Sequence, residues 1–311
     1  MVEVYLLLFA GLALLFISGK FLVDSSVAIS RRLKIPRMII GLTVVAFGTS
    51  APELLVSLEA AFSGYPEIVM GNVVGSNISN ILLVLALTAL IFPIPVPAAS
   101  VKRDWPIMMG VSLLLYVFSV NGWISRLEGV VLVGLLAGYI IFSVLSARKK
   151  VSVPAVVDTG NTMKWWVAAV VFLVACAGLA YGANLLVENV ALIAQELGIS
   201  TRVVSITMVA VGTSIPELAT SVIAALKKET DISVGNIIGS NIMNILSVLG
   251  FTSLVSPVSV STEIARFDIP WMLGISVLLL LMMLPAARSR INRWKGLLMI
   301  IIYLLYIYLL F

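Results

Sequence analysis

Apolar runs, most of them about 17–25 residues long, follow one another along almost the whole of this 311-residue chain. A helix of that length is long enough to cross the hydrocarbon core of a bilayer. Charged residues make up only 11% of the chain, whereas they make up roughly a quarter of soluble globular domains. A membrane β-barrel would show alternating segments of about 10 residues instead. The sequence therefore predicts an all-α polytopic membrane protein.

The apolar runs predict ten transmembrane helices, separated by short polar or charged connections. The predicted spans are residues 3–30, 37–62, 67–92, 105–121, 125–146, 165–195, 202–226, 231–256, 268–285 and 291–311. Of the 20 lysines and arginines, 16 lie in the odd-numbered connections and three in the even-numbered ones. Because positive charge accumulates on the cytoplasmic side, this asymmetry predicts a multi-pass protein of the cell membrane. Both termini are then extracellular, and the linker 147–164 is cytoplasmic.

The residue types that the chain lacks exclude several kinds of catalytic and metal site. The chain contains no histidine and a single cysteine, Cys176. Zinc clusters of cysteines, histidine metalloprotease sites and Ser-His-Asp triads are therefore excluded. We expect no enzyme activity, no catalytic residue, no organic cofactor and no obligatory protein partner. Nucleic-acid binding is not expected either, because basic residues at membrane edges explain the net charge of +5.

Two closely similar stretches place a glutamate inside an apolar run. Residues 44–57 read VVAFGTSAPELLVS and include Glu53, and residues 208–221 read MVAVGTSIPELATS and include Glu217, 164 residues later. A charged side chain at the centre of a bilayer costs at least about 2.5–3.5 kcal/mol. Both glutamates are therefore candidates for a functional site, and their duplication argues against a purely structural role.

Each glutamate stretch is followed by a glycine-containing partner, GNVVGSNISNIL from Gly71 and GNIIGSNIMNIL from Gly235, again 164 residues apart. Each half of the chain has five predicted spans, an odd number, so the second half enters the membrane from the opposite side. Inverted repeats with helices interrupted by Gly and Pro are typical of secondary transporters whose site lies near the bilayer midplane. The predicted boundaries are 1–146 for the first repeat, with its motifs in 37–92, 147–164 for the linker, and 165–311 for the second repeat, with its motifs in 202–256.

Both pairs of stretches carry oxygen ligands at helical spacing. Pro52 lacks an N–H group, so it bends the helix and releases the carbonyl oxygen of Gly48, four residues earlier. Thr49 and Ser50 lie four and three residues before Glu53, on one helix face. The other candidates at corresponding spacings are Thr213 and Ser214 before Glu217, Ser76 with Asn80, and Ser240 with Asn244. Carboxylate, amide, hydroxyl and carbonyl oxygens suit hard cations such as Ca²⁺, and Na⁺ by the same logic.

At these residues the chain resembles the Ca²⁺/cation antiporter superfamily, and most closely the small prokaryotic sodium/calcium exchangers. GTSAPE with GNVVGSNISN, and GTSIPE with GNIIGSNIMN, are similar to the two α-repeats of that family. The resemblance implies Na⁺/Ca²⁺ exchange, with Ca²⁺ bound centrally by Glu53 and Glu217, and with the first and sixth spans sliding against the other eight. The Na⁺ ligands that the resemblance implies are the carbonyls of Ala46 and Ala210 and the hydroxyls of Thr49, Ser50, Ser76, Thr213, Ser214 and Ser240.

One pair of residues departs from the family pattern. Family members often carry an aspartate at one of the two positions matched here by Asn80 and Asn244, whereas this chain has asparagine at both. The site then holds two formal negative charges. Two charges neutralise one Ca²⁺ or two Na⁺.

Three other functions stay open at the level of the sequence. In H⁺/Ca²⁺ antiport the two glutamates would alternate between a protonated and a Ca²⁺-bound form, but the many hydroxyls favour Na⁺. A cation channel would need a continuous pore, and two inverted repeats favour alternating access instead. A carboxylate protease would need two close acids that activate water, and the two glutamates alone support it.

Overall fold

The computed structural model describes residues 2–149, 163–196, 212–284 and 290–310. These residues are almost entirely helical, which confirms the predicted all-α class. The helices are α1 (Val2–Leu33), α2 (Arg37–Thr49), α3 (Ala51–Phe62), α4 (66–91), α5 (100–119), α6 (Arg126–Lys149), α7 (Trp165–Glu196), α8 (Ile215–Leu226), α9 (Thr230–Val255), α10 (Ile264–Met283) and α11 (Arg293–Leu310).

In the described part of the chain, four two-residue strands lie in the connections between helices: β1 (Ile94–Pro95), β2 (Trp123–Ile124), β3 (Val258–Ser259) and β4 (Arg290–Ile291). They pair antiparallel as β1 with β4 and β2 with β3. Each pair joins a strand of the first half of the chain to a strand of the second half. The strands therefore link the two halves of the chain.

Seven of the described helices are long and apolar enough to cross a membrane, and α2 with α3 makes an eighth if the bent pair is one span. This finding confirms a polytopic membrane protein. Helix α8 has only 12 residues, and residues 202–211 of the predicted span 202–226 lie outside the described residues, as does most of the linker 147–164. The number of ten spans therefore stays a prediction.

Helices α4 and α9 form the centre of the bundle. In their apolar stretches 72% and 89% of the residues are buried, compared with 33% in α1 and 28% in α7. Large apolar side chains such as Phe9 and Leu173 are exposed on the outer helices, as expected where lipid replaces water. The polar residues of α4 and α9 are thereby shielded from the hydrocarbon.

The helix that carries Glu53 bends where the sequence predicts it. Helices α2 and α3 meet at 41°, and Ser50 between them has φ −84° and ψ 7°. Pro52 lies in the first turn of α3, where its missing N–H is tolerated. Ser214 has nearly the same backbone angles, φ −85° and ψ 1°, directly before α8. Both glutamates therefore lie in the first turn of a helix that begins after a break.

Close packing against glycines brings α2 onto α9. A Cβ atom added to Gly235 would lie 2.7 Å from the carbonyl oxygen of Met38, and one added to Gly239 would lie 2.6 Å from that of Leu42. Only glycine allows this approach. The equivalent Gly71 and Gly75 have no atom of the described residues within 4 Å of such a Cβ.

The two halves of the chain repeat their elements at the same spacing of 164 residues. Helix α3 corresponds to α8, and β1 to β3. The π-helical stretch Asn80–Leu85 within α4 corresponds to Asn244–Leu249 within α9. The repeat seen in the motifs thus extends to the secondary structure.

Candidate cation-binding site

The candidate residues of both halves converge where α2, α3 and α8 pack against α4 and α9. All of the described candidates except Thr213, which is partly buried, are at most 3% exposed: Ala46, Thr49, Ser50, Glu53, Ser76, Asn80, Ser214, Glu217, Ser240 and Asn244. Ala210 lies outside the described residues. The structure therefore places ten of the predicted ligand residues, nine of them with side-chain oxygens, in one buried polar region.

Glu217 is held by hydroxyls from the break between α2 and α3 and from helix α9. Its Oε1 accepts hydrogen bonds from Ser50 Oγ at 3.0 Å and from Ser240 Oγ at 3.3 Å. Ser50 comes from the other half of the chain, so the contact joins the two repeats. The second oxygen, Oε2, is buried and has no hydrogen-bond partner among the described residues.

Glu53 has no such support. Both of its carboxylate oxygens are buried without a hydrogen-bond partner in the described part of the chain. Neither glutamate forms an ion pair with any described lysine or arginine, and the two carboxylates interact electrostatically with each other. Two buried acidic groups without a cationic partner make this region strongly attractive to a cation.

Asn80 and Asn244 are oriented by asparagines of the opposite half. The Nδ2 of Asn80 donates to Asn241 Oδ1 at 3.2 Å, and the Nδ2 of Asn244 donates to Asn77 Oδ1 at 3.1 Å. These bonds use the amide donors. The Oδ1 atoms of Asn80 and Asn244 are left buried without a partner among the described residues. Each asparagine also begins a π-helical stretch, a feature that is frequent at functional sites.

The unpaired oxygens of these four side chains are all acceptors. They are Glu53 Oε1 and Oε2, Glu217 Oε2, Asn80 Oδ1 and Asn244 Oδ1. A buried polar atom left without a partner destabilises the folded state by about 1–3 kcal/mol, and more when it is charged. Such groups are rare in folded proteins. A set of acceptors alone, drawn from four helices, is the pattern that a bound cation would satisfy.

The hydroxyls around the acceptors pair across the halves of the chain. Thr49 Oγ1 donates to Asn236 Oδ1 at 3.1 Å and lies 3.4 Å from Ser240 Oγ. In the other half, Ser76 Oγ lies 3.2 Å from Thr213 Oγ1, which donates to Asn72 Oδ1 at 3.4 Å. These predicted ligands therefore already have partners in the structure.

The predicted carbonyl ligand of Ala46 is also engaged. Its oxygen accepts the backbone N–H of Ser50 at 3.0 Å and lies 3.4 Å from Thr49 Oγ1, a second donor within reach. A cation at this carbonyl would therefore share it with these donors or displace one of them.

The asparagines that brace the site were not among the residues predicted from the sequence. Asn72 donates to the carbonyl oxygen of Glu53 at 3.1 Å and to Ser57 Oγ at 2.9 Å, and its counterpart Asn236 makes the same two contacts with Glu217 and Ser221 at 3.5 and 3.1 Å. The available signal was the Gly-Asn pair that opens both glycine stretches. Asn77 and Asn241 carried a similar signal, the Ser-Asn pair in each stretch.

A comparison with known protein families agrees with this geometry. The sequence profile of the family described as sodium/calcium exchanger protein matches residues 3–145 and 167–311. This match covers nearly the whole chain. The chain belongs to the sodium/calcium exchanger family.

Individual relatives cover the same length. The sodium/calcium exchanger MaX1 of Methanosarcina acetivorans is 34% identical, with 99% of this chain and 98% of the relative aligned. The putative antiporter CaxA of Alkalimonas amylolytica is 39% identical over 97% of this chain and 96% of its own length. A solved structure of the sodium-calcium exchanger NCX_Mj, soaked with zero Na⁺ and Ca²⁺, superposes with a TM-score of 0.85 at 32% identity and covers 100% of both chains.

The resemblance to the Ca²⁺/cation antiporter superfamily is thus confirmed over the whole fold. The family and the structural neighbours of this exchanger-family chain are transporters. In membrane proteins, intramembrane carboxylates usually mark ion pathways.

Proposed function

We propose that this protein is a secondary antiporter that exchanges Na⁺ for Ca²⁺ across the cell membrane by alternating access, without an enzymatic step or an organic cofactor. The observation that carries the proposal is a set of five buried acceptor oxygens that have no donor among the described residues, contributed by Glu53, Glu217, Asn80 and Asn244. Membership of the sodium/calcium exchanger family supports it.

Ca²⁺ is the ion that the central acceptors suit best. It takes about six to eight oxygen ligands and favours carboxylates with neutral carbonyl-type oxygens. Glu53 and Glu217 supply two negative charges, which match one Ca²⁺, and the amide oxygens of Asn80 and Asn244 complete the ligand set. Transport requires that the ion leave again. Because the ligand oxygens come from both repeats, a movement of one repeat against the other can separate the ligands and release the ion.

Na⁺ would bind at the flanking hydroxyls. Neutral oxygens are sufficient for a monovalent ion. Ser50 and Ser240 contact Glu217, and Thr49 lies beside Ser240. Ser76 and Ser214 are the corresponding hydroxyls of the other motif copies, and they contact Thr213 and Ser79. The remaining proposed ligands are Thr213 and the carbonyls of Ala46 and Ala210. A Na⁺ ion there would replace hydroxyl hydrogen bonds that hold the two halves of the site together.

We further propose ten spans arranged as two inverted repeats, residues 1–146 and 165–311, joined by the cytoplasmic linker 147–164. The elements repeat at 164 residues, and Asn80 and Asn244 exchange partners across the halves, as expected around a pseudo-two-fold axis. Helices α1 and α7 pack closely at Gly11 and Gly182. They would move as a pair against the remaining helices.

An outward Na⁺ gradient is expected to drive Ca²⁺ accumulation in proteoliposomes when pH is clamped. The physical reason is that the hydroxyl-rich flanking sites take Na⁺ as Ca²⁺ leaves the glutamates. The measurement is uptake of radioactive Ca²⁺ with Na⁺-loaded vesicles, with K⁺-loaded vesicles as the control. A proton gradient tests the second candidate function, H⁺/Ca²⁺ antiport, which the unpaired oxygens of Glu53 would also support. Uptake driven by the proton gradient alone would decide for the second candidate.

The proposed orientation predicts opposite accessibility for two engineered cysteines. In a background with Cys176→Ala, Lys149→Cys is expected to react with a membrane-impermeant maleimide only from the cytoplasmic side. Tyr65→Cys, at a side chain that is exposed, is expected to react only from outside. Labelling of right-side-out and inside-out vesicles measures both. The reverse pattern would invert the topology.

A further inference from the structure

Two hydroxyl contacts of the site, from Ser50 and Ser240 to Glu217, have no counterpart at Glu53 among the described residues, although most of its other contacts are duplicated. Ser50 donates to the glutamate of the other half, Glu217, at 3.0 Å. The equivalent residue 164 positions later is Ser214, whose counterpart acceptor would be Glu53. Instead, Ser214 Oγ lies 2.6 Å from Ser79 Oγ, and Glu53 has no donor among the described residues.

Either hydroxyl can be the donor in this contact. Ser79 Oγ also lies 3.1 Å from the carbonyl oxygen of Ser76, which only accepts. When the hydrogen of Ser79 points to that carbonyl, Ser214 donates to Ser79. In either arrangement the hydroxyl of Ser214 is engaged by Ser79, whereas the hydroxyl of Ser50 is engaged by a carboxylate.

The sequence contains the cause of this difference. Ser79 is fully buried, and the residue 164 positions later is Met243, which is also buried and has no hydroxyl. The second half therefore cannot hold Ser50 away from Glu217 in the same way. Within the glycine stretches, Ser79 and Met243 are the pair that differs in polarity, and each directly precedes a proposed ion ligand.

We propose that Ser79 is a positioning residue that holds the hydroxyl of Ser214 away from Glu53 and thereby keeps both oxygens of Glu53 available to Ca²⁺. The inference rests on the proposed function. Without Ser79, Ser214 can donate to Glu53, and Ca²⁺ must then displace or weaken a hydrogen bond to a carboxylate. Na⁺ at the flanking site still finds the oxygen of Ser214. Ser79 thus determines the preference of the site for Ca²⁺ over Na⁺.

The test measures Ca²⁺ binding to the purified protein by isothermal titration, together with the Na⁺ concentration that half-activates Ca²⁺ release from proteoliposomes. Ser79→Ala is expected to raise the Kd for Ca²⁺ about tenfold and to leave the Na⁺ concentration unchanged. Ser79→Thr keeps the hydroxyl and is expected to restore the Kd. If Ser79 only filled space, Ser79→Ala would not change the Kd for Ca²⁺ while leaving the half-activating Na⁺ concentration unchanged. An unchanged Kd in Ser79→Ala would overturn the inference.

A mirror substitution keeps the inference testable if Ser79→Ala does not fold. Met243→Ser places a hydroxyl at the equivalent position, where it would draw the hydrogen of Ser50 away from Glu217. We expect it to lower the Kd for Ca²⁺ relative to Met243→Ala, which controls for lost volume. Equal values for these two variants would contradict the role of the hydroxyl. Absence of Ca²⁺ binding by the wild-type protein would instead contradict the proposed function itself.

Discussion

Replacing Glu53 or Glu217 by glutamine is expected to abolish Ca²⁺ transport while the protein remains folded and inserted in the membrane. Glutamine has nearly the same shape, so the packing of α3 and α8 is retained. The substitution leaves one carboxylate for a divalent ion in a buried site. Loss of one partner of a buried charge pair is worth about 3–5 kcal/mol, so a loss of at least about a hundredfold in Ca²⁺ uptake is expected.

The measurement is Na⁺-driven Ca²⁺ uptake in proteoliposomes, with gel filtration and circular dichroism to verify folding. Glu59→Gln is the matched control, because Glu59 lies on the same helix as Glu53 but is exposed. It removes the same charge from α3 without touching the site, and it should transport normally. Near-normal uptake by both Glu53→Gln and Glu217→Gln would remove the glutamates from the mechanism.

The elements of the site that depend on local sequence were predictable. The apolar runs predicted the helices, Pro52 predicted the bend of 41° between α2 and α3, and the two glutamates were identified by the energetic penalty of a charge in an apolar run. Helix periodicity and proline stereochemistry act over three or four residues. They can therefore be read without knowledge of the tertiary structure.

The contacts that join the halves were not predictable in this way. The bond from Asn80 to Asn241 and the bond from Asn244 to Asn77 connect residues 161 and 167 positions apart. The motif predicted an oxygen ligand from each asparagine. It did not show that each Nδ2 group would donate to an asparagine of the other half, or that each Oδ1 would have no partner among the described residues. The strand pairs β1–β4 and β2–β3 also join residues that are far apart in sequence. Such pairings depend on how two repeats face each other.

The hydroxyls show a related difference between motif and structure. The spacing of Thr49, Ser50 and Glu53 predicted a shared helix face, but Ser50 bonds to Glu217 and Thr49 to Asn236, both in the other half. The site is therefore braced by its own proposed ligands. Preorganisation of this kind lowers the ordering penalty when an ion binds. When a cation replaces the hydrogen-bond partners of these hydroxyls, contacts between the two halves are lost. Ion binding is thereby coupled to the relative position of the two halves.

Two substitutions of Asn244 test its two functions, the Oδ1 acceptor that would bind the ion and the Nδ2 donor to Asn77. Asn244→Leu removes the unpaired Oδ1 and also the donor to Asn77 Oδ1. It should weaken Ca²⁺ binding at every pH, by about tenfold or more for a lost ligand together with a newly unpaired acceptor. Asn189→Leu is the matched control, because Asn189 is buried but donates only to Leu185 of its own helix among the described residues. It should retain the Ca²⁺ affinity of the wild-type protein.

Asn244→Asp keeps an oxygen ligand but changes the charge of the ion-free site. Without Ca²⁺, a third ionised carboxylate would repel Glu53 and Glu217 and would face Asn77 Oδ1 without a hydrogen to donate. A proton on the introduced carboxylate removes both conflicts, and Ca²⁺ must displace this proton. Ca²⁺ binding should therefore be preserved at high pH and fall more steeply than in the wild-type protein as pH is lowered. Ca²⁺ transport measured against pH for the wild-type protein and both variants tests this. A leucine variant that matches the wild type, or an aspartate variant with an unchanged pH profile, would show that Asn244 does not face the ion.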